Sequence, residues 1–247
     1  MLNLKVLKEI KLTFVKNAAE IGRKAMASIN PNLIDQYEKA ILFLSTHPAV
    51  ALPIRGSKAP DIGSAEYVRR QALVFSAART PRSPQTPATV PDEMVSVILR
   101  EYFGIPQNTL QRVKREHLLS MGAENMVGEL LERYLASILE PRGWIWCSGA
   151  IVRAADFIKP PPTMGLAWRM LQVKNRDNSE NSSSSAIRAG TMIEKWHRTF
   201  SKKVGSNWGT FPDESLRLHL SEDAFEAFVM NYLRRLPPPP PPPVSYT

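Results

Sequence analysis

Three polar residues in the second half of the chain have the types and spacing of a metal-dependent hydrolytic site. Asp156 lies within the apolar segment 150–158, and Gln172 and Lys174 lie two positions apart in the segment 167–175. Residues two apart in a strand share a sheet face, and Mg²⁺ accepts carboxylate and amide oxygens as ligands. Asp156 and Gln172 could therefore bind Mg²⁺, while Lys174 stabilises an attacking hydroxide and a scissile phosphate. The chemistry that this set predicts is hydrolysis of a phosphodiester bond.

The backbone carbonyl of Val173 is a possible further ligand of the metal. An acidic residue followed at a distance by a Gln-x-Lys triplet also occurs by chance, for example where an edge strand carries solvated polar side chains. The apolar residues around Asp156 favour the functional interpretation, because a lone carboxylate in an apolar strand is costly to bury without a partner.

A helix before these strands is expected to supply a supporting carboxylate. Residues 123–140 carry one apolar stripe at helical spacing, and the candidates on this helix are Glu124, Glu129 and Glu132. Glu129 points away from the stripe and is expected to be solvated. Glu132 lies about 12 Å along the helix from Glu140, and Glu124 about 24 Å, so we favour Glu132 while Glu124 stays open. An ordinary surface charge is the alternative for each of them.

A polar run follows Lys174 directly and is a candidate DNA-reading segment. Arg and Asn side chains make bidentate contacts to guanine and adenine, and Asp or Glu can accept a hydrogen bond from cytosine. The run consists of Asn175, Arg176, Asp177, Asn178, Ser179, Glu180 and Asn181. The same composition would also fit a flexible loop.

A helix is expected over residues 186–201, and together with the two residues after it this segment is basic and suited to phosphate contacts. Five positive charges stand against Glu194, and they are Arg188, Lys195, Arg198, Lys202 and Lys203. Trp196 and Phe200, four residues apart, are expected to lie in the core.

The remaining segments predict an α/β fold with a helical N-terminal region. Two helices are expected between residues 4 and 44, with a break at residues 30–32. Residues 48–90 are rich in proline and arginine and are expected to form a long surface connection with one helix over residues 66–78. Further helices are expected over residues 91–102, 109–119, 123–140 and 221–236, and three strands within residues 144–175.

The composition excludes several classes of protein. The 247 residues are 43% hydrophobic and 22% charged, which suits a packed domain, and the net charge of +9 favours a polyanionic partner such as nucleic acid. Cys147 is the only cysteine, so a disulfide within the chain and a cysteine-rich zinc site are excluded and a reducing cytoplasm is expected. We expect no signal peptide and no membrane span. Neither a phosphate-binding glycine loop nor a metal-ligand spacing of histidines occurs in the sequence.

The segment 123–208 resembles the SinI-type restriction endonucleases, a branch of the PD-(D/E)xK nuclease superfamily. The resemblance is carried by AENMVGELLERYL, GWIWCSG, AADFI, LQVKNRDNSENSSSSAIR and NWGTFP, of which the fourth is the most specific. It implies a restriction-endonuclease-like core with a central mixed sheet flanked by helices. It also places Asp156, Gln172 and Lys174 at the metal-binding and catalytic positions, and Glu132 at the helix position.

The resemblance further implies a Mg²⁺-dependent homodimer that cuts double-stranded DNA at GGWCC, where W is A or T. A cognate cytosine methyltransferase would protect the host DNA. Gln172 stands where Asp or Glu is commoner in the superfamily, which removes one negative charge from the metal site, and no proline precedes Asp156. We expect a helical region over residues 1–118, a nuclease core over residues 119–236 and a disordered proline-rich tail over residues 237–247.

Two alternatives stay open at this point. The first is a repair or modification-dependent nuclease with the same core, which would not need the long polar reading segment. The second is a DNA-binding protein that has lost catalysis, and the intact set of Asp156, Gln172 and Lys174 argues against it.

Overall fold

The computed structural model describes residues 12–89, 92–163, 166–177 and 193–238. The α-helices in these ranges are α1 (Ala18–Ile29), α2 (Ile34–Thr46), α3 (Ala65–Ala77), α4 (Glu93–Glu101), α5 (Leu110–Leu139) and α6 (Glu222–Arg234). The strands are β1 (Ile145–Trp146), β2 (Phe157–Lys159), β3 (Arg169–Arg176) and β4 (Ile193–Thr199).

The chain folds as two compact units. We call Met1–Thr80 with Ala136–His219 the sheet unit, and Pro81–Leu135 with Leu220–Thr247 the helical unit. The expected nuclease core over residues 119–236 follows a different boundary and stays a prediction. The expected proline-rich tail lies outside the described residues from residue 239 onward.

The first two helices of the sheet unit confirm the predicted break. Asn30 follows α1, and its side chain accepts a hydrogen bond from the Asn32 N–H at 3.2 Å. Pro31 begins a short 3-10 turn that leads into α2, as suits a residue that lacks an N–H and is tolerated at the start of a helix. Residues 4–11 of the expected first helix lie outside the described residues, and residues 12–17 are not helical.

Helix α3 confirms the helix predicted over residues 66–78, but it is not a surface element. Tyr67, Val68, Ala72 and Phe75 are fully buried. The Tyr67 hydroxyl donates to the Leu52 carbonyl at 2.8 Å, which ties the helix to the segment before it. Part of the proline- and arginine-rich stretch therefore belongs to the core.

The four strands form one mixed sheet in the order β1-β2-β3-β4. β1 and β2 are antiparallel, β2 and β3 are antiparallel, and β3 and β4 are parallel. Helices α1–α3 share a hydrophobic core with this sheet, to which Tyr37, Ile41 and Phe43 contribute from α2 and Ile145 and Ile158 from the strands. The predicted α/β class with a mixed central sheet is confirmed.

The helix predicted over residues 186–201 is wrong where the structure describes it, because Ile193–Thr199 is strand β4. Trp196 and Phe200 have a spacing that fits one face of a helix, but this spacing does not decide between the two structures. The segment also contains Ile193, Trp196 and Thr199, which are β-branched or aromatic residues favoured in strands. Trp196 is buried against Trp208 and Phe211, as predicted for a core residue.

The helical unit contains α4, α6 and most of α5. Two separate helices were predicted over residues 109–119 and 123–140, whereas α5 is continuous. Gly122 lies where the break was expected, but a Cβ atom there would come within 2.7 Å of the Gln85 carbonyl oxygen. This glycine permits a close approach of two segments and does not end the helix. Helix α6 begins as predicted, with the Ser221 side chain accepting a hydrogen bond from the Ala224 N–H at 3.1 Å.

Candidate active site

Asp156 lies one residue before β2, not inside a strand as predicted. Its backbone N–H donates to the Leu171 carbonyl at 2.9 Å, so the backbone follows β3 even before the strand begins. Two residues further along β3 the side chain of Asp156 replaces the backbone as the partner, since Oδ2 accepts a hydrogen bond from the Val173 N–H at 2.7 Å. The carboxylate of Asp156 is thereby fixed beside the middle of β3.

Burial of the carboxyl group is the main influence on the pKa of Asp156. It raises this pKa from 3.8 to about 6, while the Val173 N–H and the positive charge of Lys174 act in the opposite direction. A carboxyl group whose ionised form is disfavoured by burial gains from a nearby cation. The site is therefore one at which a divalent ion would stabilise the charge that Asp156 carries.

Gln172 and Lys174 lie on one face of β3, together with their register partners on β4. Gln172 pairs with Lys195 and Lys174 pairs with His197. Gln172 is buried and Lys174 is half-buried. Asp156 accepts a hydrogen bond from Val173, which lies between Gln172 and Lys174, and the positive charge of Lys174 acts to lower the pKa of Asp156. The structure therefore brings the three predicted residues together.

The donor set fits Mg²⁺ better than a softer ion. It combines the Asp156 carboxylate, the Gln172 side-chain oxygen and the Val173 carbonyl, all of them hard oxygens. A residue in a strand directs its N–H and its carbonyl toward the same neighbour, so the Val173 carbonyl faces the side on which Asp156 lies. Among the described residues, no three His, Cys, Asp or Glu side chains form a cluster that could hold a metal. The candidate set is therefore one acidic side chain supported by neutral oxygens.

The backbone before Asp156 adopts a conformation that side-chain-bearing residues seldom adopt. Ala154 has φ 59°, in the left-handed region, where a residue other than glycine pays roughly 1 kcal/mol. The Arg153 N–H donates to the Val50 carbonyl at 2.7 Å, which holds this turn in place. The turn places the Asp156 carboxylate beside β3.

The candidate carboxylates of α5 belong to the helical unit. Glu132 is half-buried and Glu124 is exposed. Glu129 was expected to be solvated, but it forms an ion pair with the buried Arg133 at 2.7 Å and its side chain is 28% exposed. Of the three, Glu132 keeps the supporting role as a prediction.

The described part of the polar run is partly used to join β3 to β4. Asn175 Oδ1 accepts hydrogen bonds from Arg198 Nε and Nη2 at 3.0 and 2.9 Å. Asp177 Oδ1 accepts a hydrogen bond from the Ser201 N–H at 2.8 Å. Arg176 is exposed. The other members, Asn178, Ser179, Glu180 and Asn181, lie outside the described residues, as does Arg188 of the predicted basic segment.

The predicted basic helix face is not formed, because its described members lie on a strand and the turn after it. Lys195 and Arg198 are three positions apart in β4 and so point to opposite faces of the sheet. Lys202 and Lys203 follow the strand and are exposed. Lys195 shares the face of Gln172 and Lys174, which brings one of the predicted phosphate-binding residues to the candidate site.

Two residues near the sheet were not singled out from the sequence. His197 is the register partner of Lys174, and its Nε2 is buried without a hydrogen-bond partner in the parts of the chain that the structure describes. Asp213 accepts hydrogen bonds from Trp144 Nε1 and Lys159 Nζ, each at 3.0 Å. Both contacts join residues far apart in the chain, and the sequence carries no local signal for them.

Asp213 is a structural carboxylate at the end of the β2–β3 pair that lies away from Asp156. Burial acts to raise its pKa, but hydrogen bonds from Ser215, Lys159 and Trp144, together with the charge of Lys159, hold this pKa down at about 2. The residue therefore stays ionised and anchors Lys159, which pairs with Arg169 in the sheet.

The described residues contain no helix that is both long and apolar enough to cross a bilayer. The model of the SinI restriction endonuclease family matches residues 18–235. The chain is 50% identical over 224 residues to the type II restriction enzyme SinI of Salmonella infantis, covering 90% of this chain and 97% of that protein. It is 49% identical over 225 residues to the type II restriction enzyme Eco47I of Escherichia coli, covering 91% of this chain and 97% of that protein. The chain belongs to the SinI restriction endonuclease family and is a type II restriction enzyme.

Proposed function

We propose that this enzyme hydrolyses phosphodiester bonds of double-stranded DNA with Mg²⁺ held by Asp156, Gln172 and the Val173 carbonyl. The observation that carries the proposal is the fixed position of the Asp156 carboxylate. It is hydrogen-bonded to the Val173 N–H, and the nearby charge of Lys174 acts to lower its pKa. Mg²⁺ bound there would supply positive charge for the transition state and for activation of a water molecule.

Lys174 has the central role among the chain's own groups. Its ammonium stabilises the attacking oxygen and the negative charge on the scissile phosphate, which is the charge that develops in the transition state. Asp156 cannot do this, since its own charge is negative, and it acts by holding the metal. Glu132 is the carboxylate of α5 that the family resemblance implies as a supporting residue, and it would offset the charge that a glutamine at position 172 does not provide.

The recognition sequence that we propose is GGWCC. GGWCC itself is the sequence that the family resemblance implies. Support for sequence-specific reading in general comes from the polar run after Lys174, whose Arg, Asn, Asp and Glu side chains are the types that read base edges. Arg176 is the exposed described member of this run and the first candidate for a base contact. Lys195, Arg198, Lys202 and Lys203 are the described basic residues that we assign to the DNA backbone.

The proposed setting follows from the chemistry. A site that reads the same on both strands suits a homodimer with two-fold symmetry. The enzyme would act in the cytoplasm, where Cys147 stays reduced. A cytosine methyltransferase that modifies the same sequence is its functional partner and protects host DNA.

The test is digestion of unmethylated phage DNA by the purified protein, once with Mg²⁺ and once with EDTA. We expect discrete fragments with Mg²⁺ only, with every end at GGWCC. A smear of fragments would indicate a repair or modification-dependent nuclease instead. Intact DNA together with tight binding would indicate a DNA-binding protein without catalysis, and discrete fragments ending at another sequence would overturn the proposed recognition sequence alone.

A matched pair of substrates tests the proposed site protection. One plasmid carries a single GGWCC site and the other the same site methylated on cytosine. We expect cleavage of the first and roughly 10- to 100-fold slower cleavage of the second, since a methyl group in the reading surface creates a clash or leaves a polar group unpaired, at a cost of about 1–3 kcal/mol. Equal cleavage of the two plasmids would contradict the proposed methyltransferase partner.

A further inference from the structure

His197 carries a buried nitrogen atom to which the fold gives no partner. Its Nε2 is buried and forms no hydrogen bond with any residue that the structure describes. A polar atom buried in this way lowers the stability of a fold, so native proteins keep such an atom mainly where it has a task. The backbone of the same residue is satisfied, because its carbonyl accepts a hydrogen bond from Asn207 Nδ2 at 3.1 Å. The unpaired atom is therefore a property of the imidazole ring alone.

The position of His197 places this ring beside Lys174. The two residues are register partners in the parallel pair of β3 and β4. Paired residues on neighbouring strands lie about 4.8 Å apart and direct their side chains to the same face of the sheet. Trp196, the preceding residue, directs its ring to the opposite face, where it packs on Trp208. The imidazole of His197 therefore lies on the face that carries Gln172 and Lys174.

The ring of His197 is held by an aromatic neighbour. Its centroid lies 5.2 Å from that of Phe200 with an angle of 76° between the planes, which is an edge-to-face contact. The ammonium of Lys203 lies 3.8 Å from the centroid of the Phe200 ring and limits the movement of that ring in turn. These contacts fix the orientation of the imidazole and leave Nε2 available to a donor.

Lys174 has a need that matches this unused acceptor. It is half-buried and forms no hydrogen bond or ion pair with another described residue. A lysine side chain is flexible and loses much rotamer freedom when it is fixed, whereas catalysis requires the reacting groups to be held in one geometry. An ammonium has three donors. One of them can bind a protein acceptor while two remain for the phosphate and the attacking oxygen.

We propose that His197 is a positioning residue for Lys174, with Nε2 accepting a hydrogen bond from the Lys174 ammonium when DNA is bound. The inference rests on the proposed function, in which Lys174 stabilises the attacking oxygen and the charge of the scissile phosphate. A neutral imidazole donates from one nitrogen and accepts at the other, so Nε2 accepts when Nδ1 carries the proton. The contact forms when the lysine side chain turns toward β4. It satisfies the buried nitrogen and fixes the ammonium at the same time.

The first experiment measures single-turnover cleavage of unmethylated phage DNA with enzyme in excess. His197→Phe keeps a ring that can pack on Phe200 but removes the acceptor, and it should lower the cleavage rate roughly 10- to 100-fold, as expected for a lost hydrogen bond to a charged group. DNA affinity, measured with Ca²⁺ in place of Mg²⁺, should stay unchanged. His197→Gln keeps an acceptor and should recover most of the rate. The matched control His219→Phe changes an exposed histidine of the sheet unit and should cleave as wild type does.

A double variant tests whether His197 acts through Lys174. In a Lys174→Ala background, His197→Phe should cause no further loss of rate, because a residue that only positions the lysine then has nothing to position. Equal losses in the two backgrounds would show a structural role for the histidine and overturn the inference. Weaker DNA binding by His197→Phe with an unchanged cleavage rate would show a DNA contact instead and would also overturn it.

A spectroscopic experiment keeps the inference testable if His197→Phe fails to fold. The four histidines are labelled with ¹⁵N, and NMR spectra are recorded at pH 8 for the complex with Ca²⁺ and a duplex that carries GGWCC. The Nε2 resonance of His197, assigned by its absence in His197→Gln, should be that of an unprotonated nitrogen that accepts a hydrogen bond. It should move in Lys174→Ala and stay in place in Lys195→Ala, the matched change at the register partner of Gln172.

The outcomes separate this inference from the proposed function. Normal cleavage by wild type, together with an Nε2 resonance that Lys174→Ala leaves in place or that only Lys195→Ala moves, would overturn the positioning role alone. Absence of cleavage by wild type, together with an Nε2 resonance that depends on Lys174, would overturn the proposed function alone.

Discussion

Helices α2 and α4 have comparable amphipathic sequences and opposite surroundings. Tyr37, Ile41 and Phe43 of α2 are completely buried, because α1, α3 and the sheet cover them. Met94 and Ile98 of α4 are more than half exposed. The periodicity of apolar residues in a helix indicates which face must be covered, but not whether the same chain covers it. In the sheet unit the pattern builds the support of the active site, and on α4 it leaves apolar side chains that the described residues do not cover.

The largest expected effect is on the rate of DNA cleavage, which depends on the active site of the sheet unit. Lys174→Ala should lower the rate of DNA cleavage by at least about 1000-fold, because it removes the positive charge that stabilises the transition state. Specific binding, measured by gel shift with Ca²⁺ in place of Mg²⁺, should remain. The control Lys24→Ala, at an exposed lysine of α1 outside the proposed site, should cleave DNA at the wild-type rate. Loss of binding and folding together with cleavage would show that Lys174 is a structural residue.

A matched pair of isoleucines tests the comparison directly. Ile41→Ala empties a fully buried position and should lower the free energy of unfolding by about 2–5 kcal/mol. Ile98→Ala truncates a residue that is 55% exposed and should change the free energy of unfolding by less than about 0.5 kcal/mol. Denaturant unfolding measures both. Similar losses in the two variants would mean that Ile98 is buried in the folded protein.

The pKa of Asp156 predicts a pH-dependent contrast in stability. Because burial raises this pKa from 3.8 to about 6, the buried group is protonated and fully compatible with the fold below pH 3.8. The metal-free protein then loses stability as pH rises through 6, up to about 3 kcal/mol. Asp156→Asn cannot ionise there and should escape this loss. In EDTA, the free energy of unfolding of the variant relative to that of wild type should be higher at pH 8 than at pH 4.5. An equal difference at the two pH values would contradict the burial of the charge.

The smallest effects concern exposed charges around the site. Lys202→Ala should weaken binding to all DNA sequences alike and reduce the slope of log affinity against log salt by about 1. Arg176→Ala should instead relax or abolish the choice of sequence. Filter binding to specific and random duplexes at several salt concentrations distinguishes them. If Arg176→Ala changed only nonspecific affinity, the reading role proposed for the start of the polar run would be wrong.

The sequence predicts what depends on short spacings. Gln172 and Lys174 share a face because alternation is a local property of a strand, and the break before α2 follows from Pro31. The sequence does not distinguish β4 from a helix, because a strand in a parallel pair is specified by its neighbour, and β3 is that neighbour. The same reason applies to His197 and Asp213. Their surroundings are made by residues that only the fold brings close.

The hydrogen bond between the Asp156 carboxylate and the Val173 N–H has a consequence for how lineages of this enzyme decay. A chain that has lost cleavage still needs an acceptor for that N–H, and an asparagine oxygen supplies one without the buried charge, so natural selection on folding alone favours Asn at this position. Lys174 has no comparable hydrogen bond within the described residues, and a lineage released from selection for cleavage can replace it. Retention of the aspartate in a distant descendant is therefore a record of cleavage, whereas loss of the lysine or exchange of the aspartate for asparagine marks an enzyme that no longer cuts.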